Sequence, residues 1–449
     1  MAAWTPDRRW TAHQGLNPTR TAAVSFAVMI ALGTGLLLLP VMSRNGRSAG
    51  LFLSLYTATS ATCVTGSVLA DTAAQWTWAG QLVLLALFQL GALGFMMAYS
   101  LLLLLFRREL VLSQRVTLAS ALGMRTVGGV TRLVRHGLMG TAFFELTGTV
   151  LLALRFVPMY GPGRGLWVSL FHSVSAFCNA GFDLLDLSRF AGDGYVLAVH
   201  MALTIVGGLG FFVWEDLLRA KGWRDLSLYS RLAVSATGFL LVLGWVYFLA
   251  AEWTNPATLA ALDPADRVTA ALFQSVNLRT AGFAVFSQGG MWESSQAVSM
   301  LFMVIGGCSG STACGIKVVT ALVLMAVLRT GLQGRTDVVI RGRTVPPQLV
   351  RNAQTLTLTF LLVSLAGSLI IAHIEGGAYL PVLFETVSSL ATVGLSAGVP
   401  GGLSAASRWV LLVLMYLGRM GILSFSLAFL TRRHGEEKIR YPECELFIG

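Results

Sequence analysis

The chain has 449 residues, 55% hydrophobic and 12% charged, with a mean hydropathy of +0.71. Soluble domains carry roughly 25% charged residues, so this composition excludes an ordinary water-facing globule and points to an integral membrane protein in a lipid bilayer. The net charge of +11 does not imply a nucleic-acid partner, because the basic residues sit between long apolar runs, where they set membrane orientation.

Spanning a bilayer takes about 20 apolar residues, and eight segments qualify: 21–40, 76–106, 133–158, 195–218, 230–252, 293–329, 349–374 and 406–431. The first lacks a small-residue cleavage site and is predicted to be a retained helix. Between the members of each consecutive pair lies a shorter apolar stretch, at 51–63, 166–178, 266–278 and 380–391. Segments of about 10–14 apolar residues do not cross, and re-entrant loops are one of the forms they take. Arginine and lysine crowd the stretches Arg8 to Arg20, Arg107 to Arg135, Arg219 to Arg231, Arg329 to Arg351 and Arg432 to Arg440. That places both termini in the cytoplasm, with the short segments dipping in from outside.

The four short segments read SLYTATSATCVTGS, SLFHSVSAFCNAGF, ALFQSVNLRTAGF and VLFETVSSLATVGL. Each carries an aromatic residue (Tyr56, Phe171, Phe273, Phe384) and reaches a glycine nine or ten residues later (Gly66, Gly181, Gly282, Gly394). A second series, Gly91/Gly94, Gly207/Gly210, Gly307/Gly310 and Gly418/Gly421, begins 24 to 26 residues after the first. Glycine pairs allow close helix packing in membranes, which explains any one pair but not four in register. The chain is therefore predicted to be an all-α integral membrane protein of four tandem helix–pore-loop–helix repeats: eight transmembrane helices and four re-entrant pore helices around a central pore. The repeats are 21–106, 107–218, 219–329 and 330–432, flanked by a cytosolic N-terminus (1–20) and C-terminal tail (433–449).

A helix that enters halfway and ends at a glycine points its negative dipole end into the bilayer, and four such ends on one axis suit a cation. The following segment must be extended, and its carbonyls are then able to replace an ion's water shell. The candidate selectivity filter is Cys63-Val64-Thr65-Gly66, Cys178-Asn179-Ala180-Gly181, Arg279-Thr280-Ala281-Gly282 and Ala391-Thr392-Val393-Gly394. No carboxylate ring appears there, which favours a monovalent cation. The sixth span is interrupted by Gly306, Gly307, Ser309, Gly310, Ser311, Thr312 and Gly315, a run of poor helix propensity ending at Lys317. Lys317 faces the cytosolic mouth or snorkels to the interface, two readings left open. Arg419 lies inside the eighth span, where an ionisable residue is costly and points to function. Asp183 is either a cation attractor or a solvated acid, Glu145 and Glu385 read as hydrogen-bonded structural groups, and His172 reads as packing. The five cysteines show no paired spacing for a metal or a disulfide.

On these loops, notably FHSVSAFCNAGF and FQSVNLRTAGF, nearly the whole chain resembles the Trk/Ktr/HKT superfamily of potassium transporters, with the KtrB branch the best match. The resemblance implies K⁺ as substrate, held by filter backbone carbonyls, with glycine in all four loops the pattern associated with K⁺. It also implies Na⁺ as activator, no cofactor in this chain and no enzymatic activity. It further implies a homodimer in a bacterial cell membrane, and control by a cytosolic KtrA-like nucleotide-binding ring. The chain itself has no strand-linked GxGxxG and no GxxxxGK[ST]. By the same resemblance residues 306–317 are an intramembrane gate, and Arg419 joins it as an electrostatic barrier. The family usually has a run of glycines where Ala313 and Cys314 stand here, a departure that stiffens the loop. The apolar end Leu446 to Gly449 is expected at a dimer contact, with a frayed terminus as the alternative.

A rival of another class is a rhomboid-type intramembrane serine protease. Gly307-Cys308-Ser309-Gly310 matches GxSG, and Ala372-His373-Ile374-Glu375-Gly376 matches AHxxG. Ser309 is predicted about 24 Å below the outer end of its span and His373 near the outer end of the next, far beyond hydrogen-bond reach of about 3 Å.

Overall fold

Apolar runs with few breakers inside them fold as helices, because in lipid the backbone must satisfy its own hydrogen bonds. The computed structural model describes residues 18–105, 130–398 and 402–421. The basic clusters at Arg8 and Arg107–Arg125 lie outside the described residues, as does the tail 433–449 with Cys444 and the expected dimer contact.

The first helix of each predicted pair is long: α1 (Pro18–Leu37), α5 (Val130–Tyr160), α9 (Leu228–Glu252) and α13 (Pro347–Glu375). Within these, Arg20–Leu37, Val134–Tyr160, Leu228–Glu252 and Pro347–Glu375 are long and apolar enough to cross a membrane unbroken. The short segments are helices too: α2 (Leu51–Cys63), α6 (Pro162–Cys178), α10 (Pro264–Asn277) and α14 (Tyr379–Leu390). Among the remaining helices α3 (Thr72–Gln75) is a single turn, capped by the Asp71 carboxylate accepting from Ala74 N.

Two of the second helices of the predicted pairs depart from expectation. The sequence predicts uninterrupted spans at 76–106 and 195–218, yet α4 (Trp78–Leu105) leaves helical geometry at Gly94. Likewise α7 (Gly194–Leu209) meets α8 (Phe211–Arg219) at a 92° bend on Gly210. The third case is the predicted one: α11 (Glu293–Val304) and α12 (Val318–Leu332) are separated by a loop. In the fourth, α15 (Ala405–Met420) ends on Gly421. The reason is the second glycine of each pair: Gly94, Gly210, Gly310 and Gly421 all have φ between 73° and 85°, which a side chain resists and glycine does not.

The first glycine of the pair does a different job. A Cβ on Gly91, Gly207 or Gly418 would stand 2.0–2.1 Å from the carbonyl oxygen of Thr62, Phe177 or Leu390. Each of those carbonyls lies four residues before a loop glycine, so the broken helix is pressed onto the end of its own short helix. Tyr56, Phe171, Phe273 and Phe384 are all fully buried in one continuous apolar core. The strands β1 (Val339–Ile340) and β2 (Arg343–Thr344) form a small hairpin that turns at Arg341 and Gly342, both with positive φ.

Candidate functional site

Three of the four short helices end in the same way. Thr65 N donates to Ser60 O, Ala180 N to Ser175 O and Val393 N to Ser388 O, each at 2.8 Å across five residues. In the third copy Ala281 N donates to Asn277 O across four residues, at 3.1 Å. That copy is the one with nine residues instead of ten between aromatic and glycine, and the missing residue is absorbed at the helix end. Two residues in each loop have left-handed torsions. One is the glycine, with φ of 80°, 68°, 81° and 86° at Gly66, Gly181, Gly282 and Gly394. The other, two residues earlier, is Val64, Asn179, Thr280 or Thr392, with φ of 58°, 58°, 68° and 53°. Left-handed torsions cost non-glycine residues roughly 1–2 kcal/mol each, and β-branched ones resist them most. Four such outliers at one register position are held there by the packing around them.

The four glycines meet one another in cyclic order. A Cβ placed on Gly66 would lie 2.5 Å from Ala180 O, on Gly181 2.9 Å from Ala281 O, on Gly282 2.3 Å from Val393 O and on Gly394 1.9 Å from Thr65 O. Each contact falls on the carbonyl that precedes the next loop's glycine, and the fourth returns to the first. Segments separated by more than 300 residues thus close a cycle of glycine-to-carbonyl contacts, with no room for a β-carbon. Fourteen of the sixteen predicted filter residues lie in these loops, and Cys63 and Cys178 are the last residues of α2 and α6. Cys63 and Cys178 are buried free thiols, and Cys178 Sγ is 3.1 Å from Gln89 Oε1 and 3.9 Å from Glu145 Oε1. Glu145 is thereby a buried hydrogen-bonded group, as its sequence reading holds. Half-buried Asp183, two residues past Gly181, has its pKa pushed up to about 7 by burial first and then by the nearby Asp186 and Asp71.

The interrupted segment Ile305–Lys317 is a closed loop. Gly306 N donates to Ile316 O, Ile316 N to Val304 O and Val318 N to Gly307 O. It docks on the Gly207–Gly210 break: Cys308 N donates to Gly208 O at 2.9 Å, Phe211 N to Gly310 O at 3.0 Å, and Thr312 Oγ1 to Phe177 O at 3.2 Å. Two arginines grip it. Arg419 Nη1 donates to Thr312 O at 2.9 Å and lies 2.9 Å from Cys314 Sγ, while Nη2 reaches Gly91 O and, at 3.1 Å, Ala92 O. Arg279 holds the other end, with Nη2 3.2 Å from Gly306 O and 3.5 Å from Thr237 Oγ1. Lys317 bends back, Nζ donating to Ala313 O at 2.7 Å. Among the described residues no group of three or more His, Cys, Asp or Glu side chains is placed to hold a metal.

A model of the TrkH family, described as cation transport proteins, matches residues 2–438. The chain belongs to this family. The potassium/sodium uptake protein NtpJ of Enterococcus hirae is 36% identical over 443 residues, spanning 97% of this chain and 98% of that one. The Ktr system potassium uptake protein B of Bacillus subtilis is 35% identical over 434 residues, spanning 96% and 97%. The crystal structure of the potassium transporter TrkH from Vibrio parahaemolyticus superposes with a TM-score of 0.73 at 20% identity, covering 95% and 87%, a likeness of fold.

These relatives are ion transporters, not enzymes, and the protease reading falls with them. Ser309 is engaged through its backbone, its N–H donating to Tyr229 Oη at 2.8 Å and its carbonyl accepting from the same hydroxyl at 3.2 Å. His373 is exposed near the end of α13. Three features escape the sequence reading. Tyr229 and the Arg279 side chain carry no local pattern that ties them to a loop 80 or 27 residues away. His172, read there as packing, makes directed hydrogen bonds: its Nε2 accepts from Leu184 N and its Nδ1 faces His200. Its signal is the position after the aromatic, where Glu385 also accepts from backbone, at Ala397 N.

Proposed function

We propose that this protein carries K⁺ across a bacterial cell membrane through a filter formed by the four glycine-ended loops, one from each of four tandem repeats. The reading rests on the cyclic contact of Gly66, Gly181, Gly282 and Gly394 with the neighbouring loops' carbonyls. A dehydrated monovalent cation on that axis meets backbone oxygens from all four sides, while the C-termini of α2, α6, α10 and α14 add their negative dipole ends. No carboxylate stands at the ring, so a divalent ion gains little there.

Ile305–Lys317 is the gate below the filter. Arg419 puts a cation beside it and ties it to the Gly91–Ala92 carbonyls, so the loop opens only when those bonds are exchanged. Na⁺ acts as activator, the protein works as a homodimer, and a KtrA-like cytosolic nucleotide-binding subunit controls the loop. The names of the Ktr-system relatives support a partner subunit. Expression in a bacterium lacking its own K⁺ uptake tests the reading: growth on low K⁺ and Na⁺-stimulated K⁺ uptake are expected, stronger with a KtrA-like partner. No rescue of growth with the protein present in the membrane contradicts it.

A further inference from the structure

Behind the ring, each loop is tied back to its short helix by a side chain at or just after the buried aromatic. In the first copy Tyr56 Oη and Ser67 Oγ are 2.8 Å apart. In the third, Gln274 and Gln288 exchange amide hydrogen bonds of 2.6 and 3.2 Å, and Gln288 Nε2 also donates to Phe286 O at 3.1 Å. In the fourth, Glu385 Oε1 accepts from Ser396 Oγ at 2.6 Å and from Ala397 N at 2.9 Å. All these partners lie within six residues after a ring glycine.

The second copy has the most determined geometry. His172 Nε2 accepts from Leu184 N at 3.1 Å and Leu185 N at 3.3 Å. A ring nitrogen that accepts from an amide carries no proton, so the proton of His172 sits on Nδ1, 3.2 Å from His200 Nε2. His200 Nε2 is then the acceptor, and its own proton is on Nδ1, which donates to Val196 O at 2.8 Å. The relay admits one neutral tautomer of each ring, and both rings are buried, at 0% and 1% exposure. It anchors the chain three residues outside Gly181 to α7, a different helix from the one carrying the loop.

We propose that His172 is a positioning residue for cation selectivity. Through Leu184 and Leu185 its neutral Nε2 fixes the outer end of the second loop, and His200 fixes the tautomer that makes this possible. The inference rests on the filter reading above. It predicts a graded behaviour: glutamine, which stands at the matching position as Gln274, keeps an acceptor at that site, whereas leucine leaves the amides of buried Leu184 and half-buried Leu185 without one.

K⁺ and Na⁺ uptake kinetics of the full chain in a K⁺-uptake-deficient bacterium test this, with Gly181→Ser as a control on the filter itself. His172→Leu is expected to lower the K⁺/Na⁺ preference roughly tenfold while the maximal rate stays within about twofold, and His172→Gln to restore most of it. His200→Leu, which leaves His172 in place but frees its tautomer, is expected to fall between them and serves if His172→Leu does not accumulate. A wild-type preference in the leucine variants while Gly181→Ser loses selectivity overturns the proposal and leaves the filter standing. Equal loss in His172→Gln and His172→Leu also overturns it. A wild-type preference in Gly181→Ser overturns the filter reading itself.

Discussion

The glycine ring and the layer beneath it follow opposite plans. In the ring the four loops are near copies, with left-handed torsions at the same two positions and each glycine against the next loop's carbonyl. In the layer beneath, two segments break at a single glycine, at 94 and 210, the helix Ala405–Met420 ends on Gly421, and the remaining segment opens into Ile305–Lys317. A cation gripped from every side needs equivalent oxygens, so symmetry belongs in the ring. An element that moves needs somewhere to go and a partner to leave, and one loop docked on the Gly207–Gly210 break and tied through Arg419 to Gly91 and Ala92 has both. Four such loops would leave unpaired backbone at membrane depth on every side. The asymmetry reaches upward as well: the third loop is the one whose helix end is a residue shorter, and its Arg279 side chain joins the ring to the Ile305–Lys317 loop.

The largest expected effect breaks the ring. Serine at the four glycines should reduce K⁺ over Na⁺ preference by at least about tenfold, through both the positive φ and the clash of a Cβ with backbone. The clash distances order the losses: Gly394 first at 1.9 Å, then Gly282 at 2.3 Å, Gly66 at 2.5 Å and Gly181 at 2.9 Å. Uptake kinetics that are unchanged in all four variants would show that the ring does not select.

Next comes the odd layer. Deleting residues 309–314 should raise K⁺ flux in the absence of a partner subunit, because it removes the carbonyl that Arg419 holds at Thr312. Arg279→Gln, which lets go of the other end of the loop, should raise flux less, by roughly severalfold, the scale of losing one charged hydrogen bond. Ser309→Ala should transport like the parent, since Tyr229 holds the Ser309 backbone and not its hydroxyl. Flux assays on proteoliposomes separate these; a closed deletion variant would mean that the loop is not the barrier.

The smallest effect concerns Asp183, outside the ring. Its pKa, raised to about 7, makes the carboxyl neutral below pH 7 and charged only above it. Lowering external pH from 8 to 6 should therefore weaken apparent K⁺ affinity by roughly twofold, the scale of a single steering charge. Asp183→Asn should show the weaker affinity at both pH values. An unchanged pH profile in that variant would remove Asp183 from the entry path.

Much of the fold is legible because the signals are local and repeated. The short helices predicted at 51–63 and 380–391 are Leu51–Cys63 and Tyr379–Leu390, since apolar length and the closing loop set both ends. What stays hidden depends on neighbours. Val64, Thr280 and Thr392 belong to residue types that avoid positive φ, so nothing in their identity announces the torsion they adopt. The helix breaks at Gly94 and Gly210 lie concealed within apolar runs, because hydropathy is blind to torsion. The grip of Arg419 on Gly91 and Ala92 joins segments 327 residues apart or more, a distance at which no periodicity speaks.

The central claim is that the four carbonyls of Thr65, Ala180, Ala281 and Val393 form the site that selects K⁺. Anomalous diffraction from crystals grown in Rb⁺ or Tl⁺, heavier ions of K⁺ chemistry, tests it directly. The account predicts a peak on the axis at the glycine ring, within about 3 Å of carbonyl oxygens from all four loops, that is lost when Na⁺ replaces the heavier ion. Ion density elsewhere in the protein with none at the ring would contradict it.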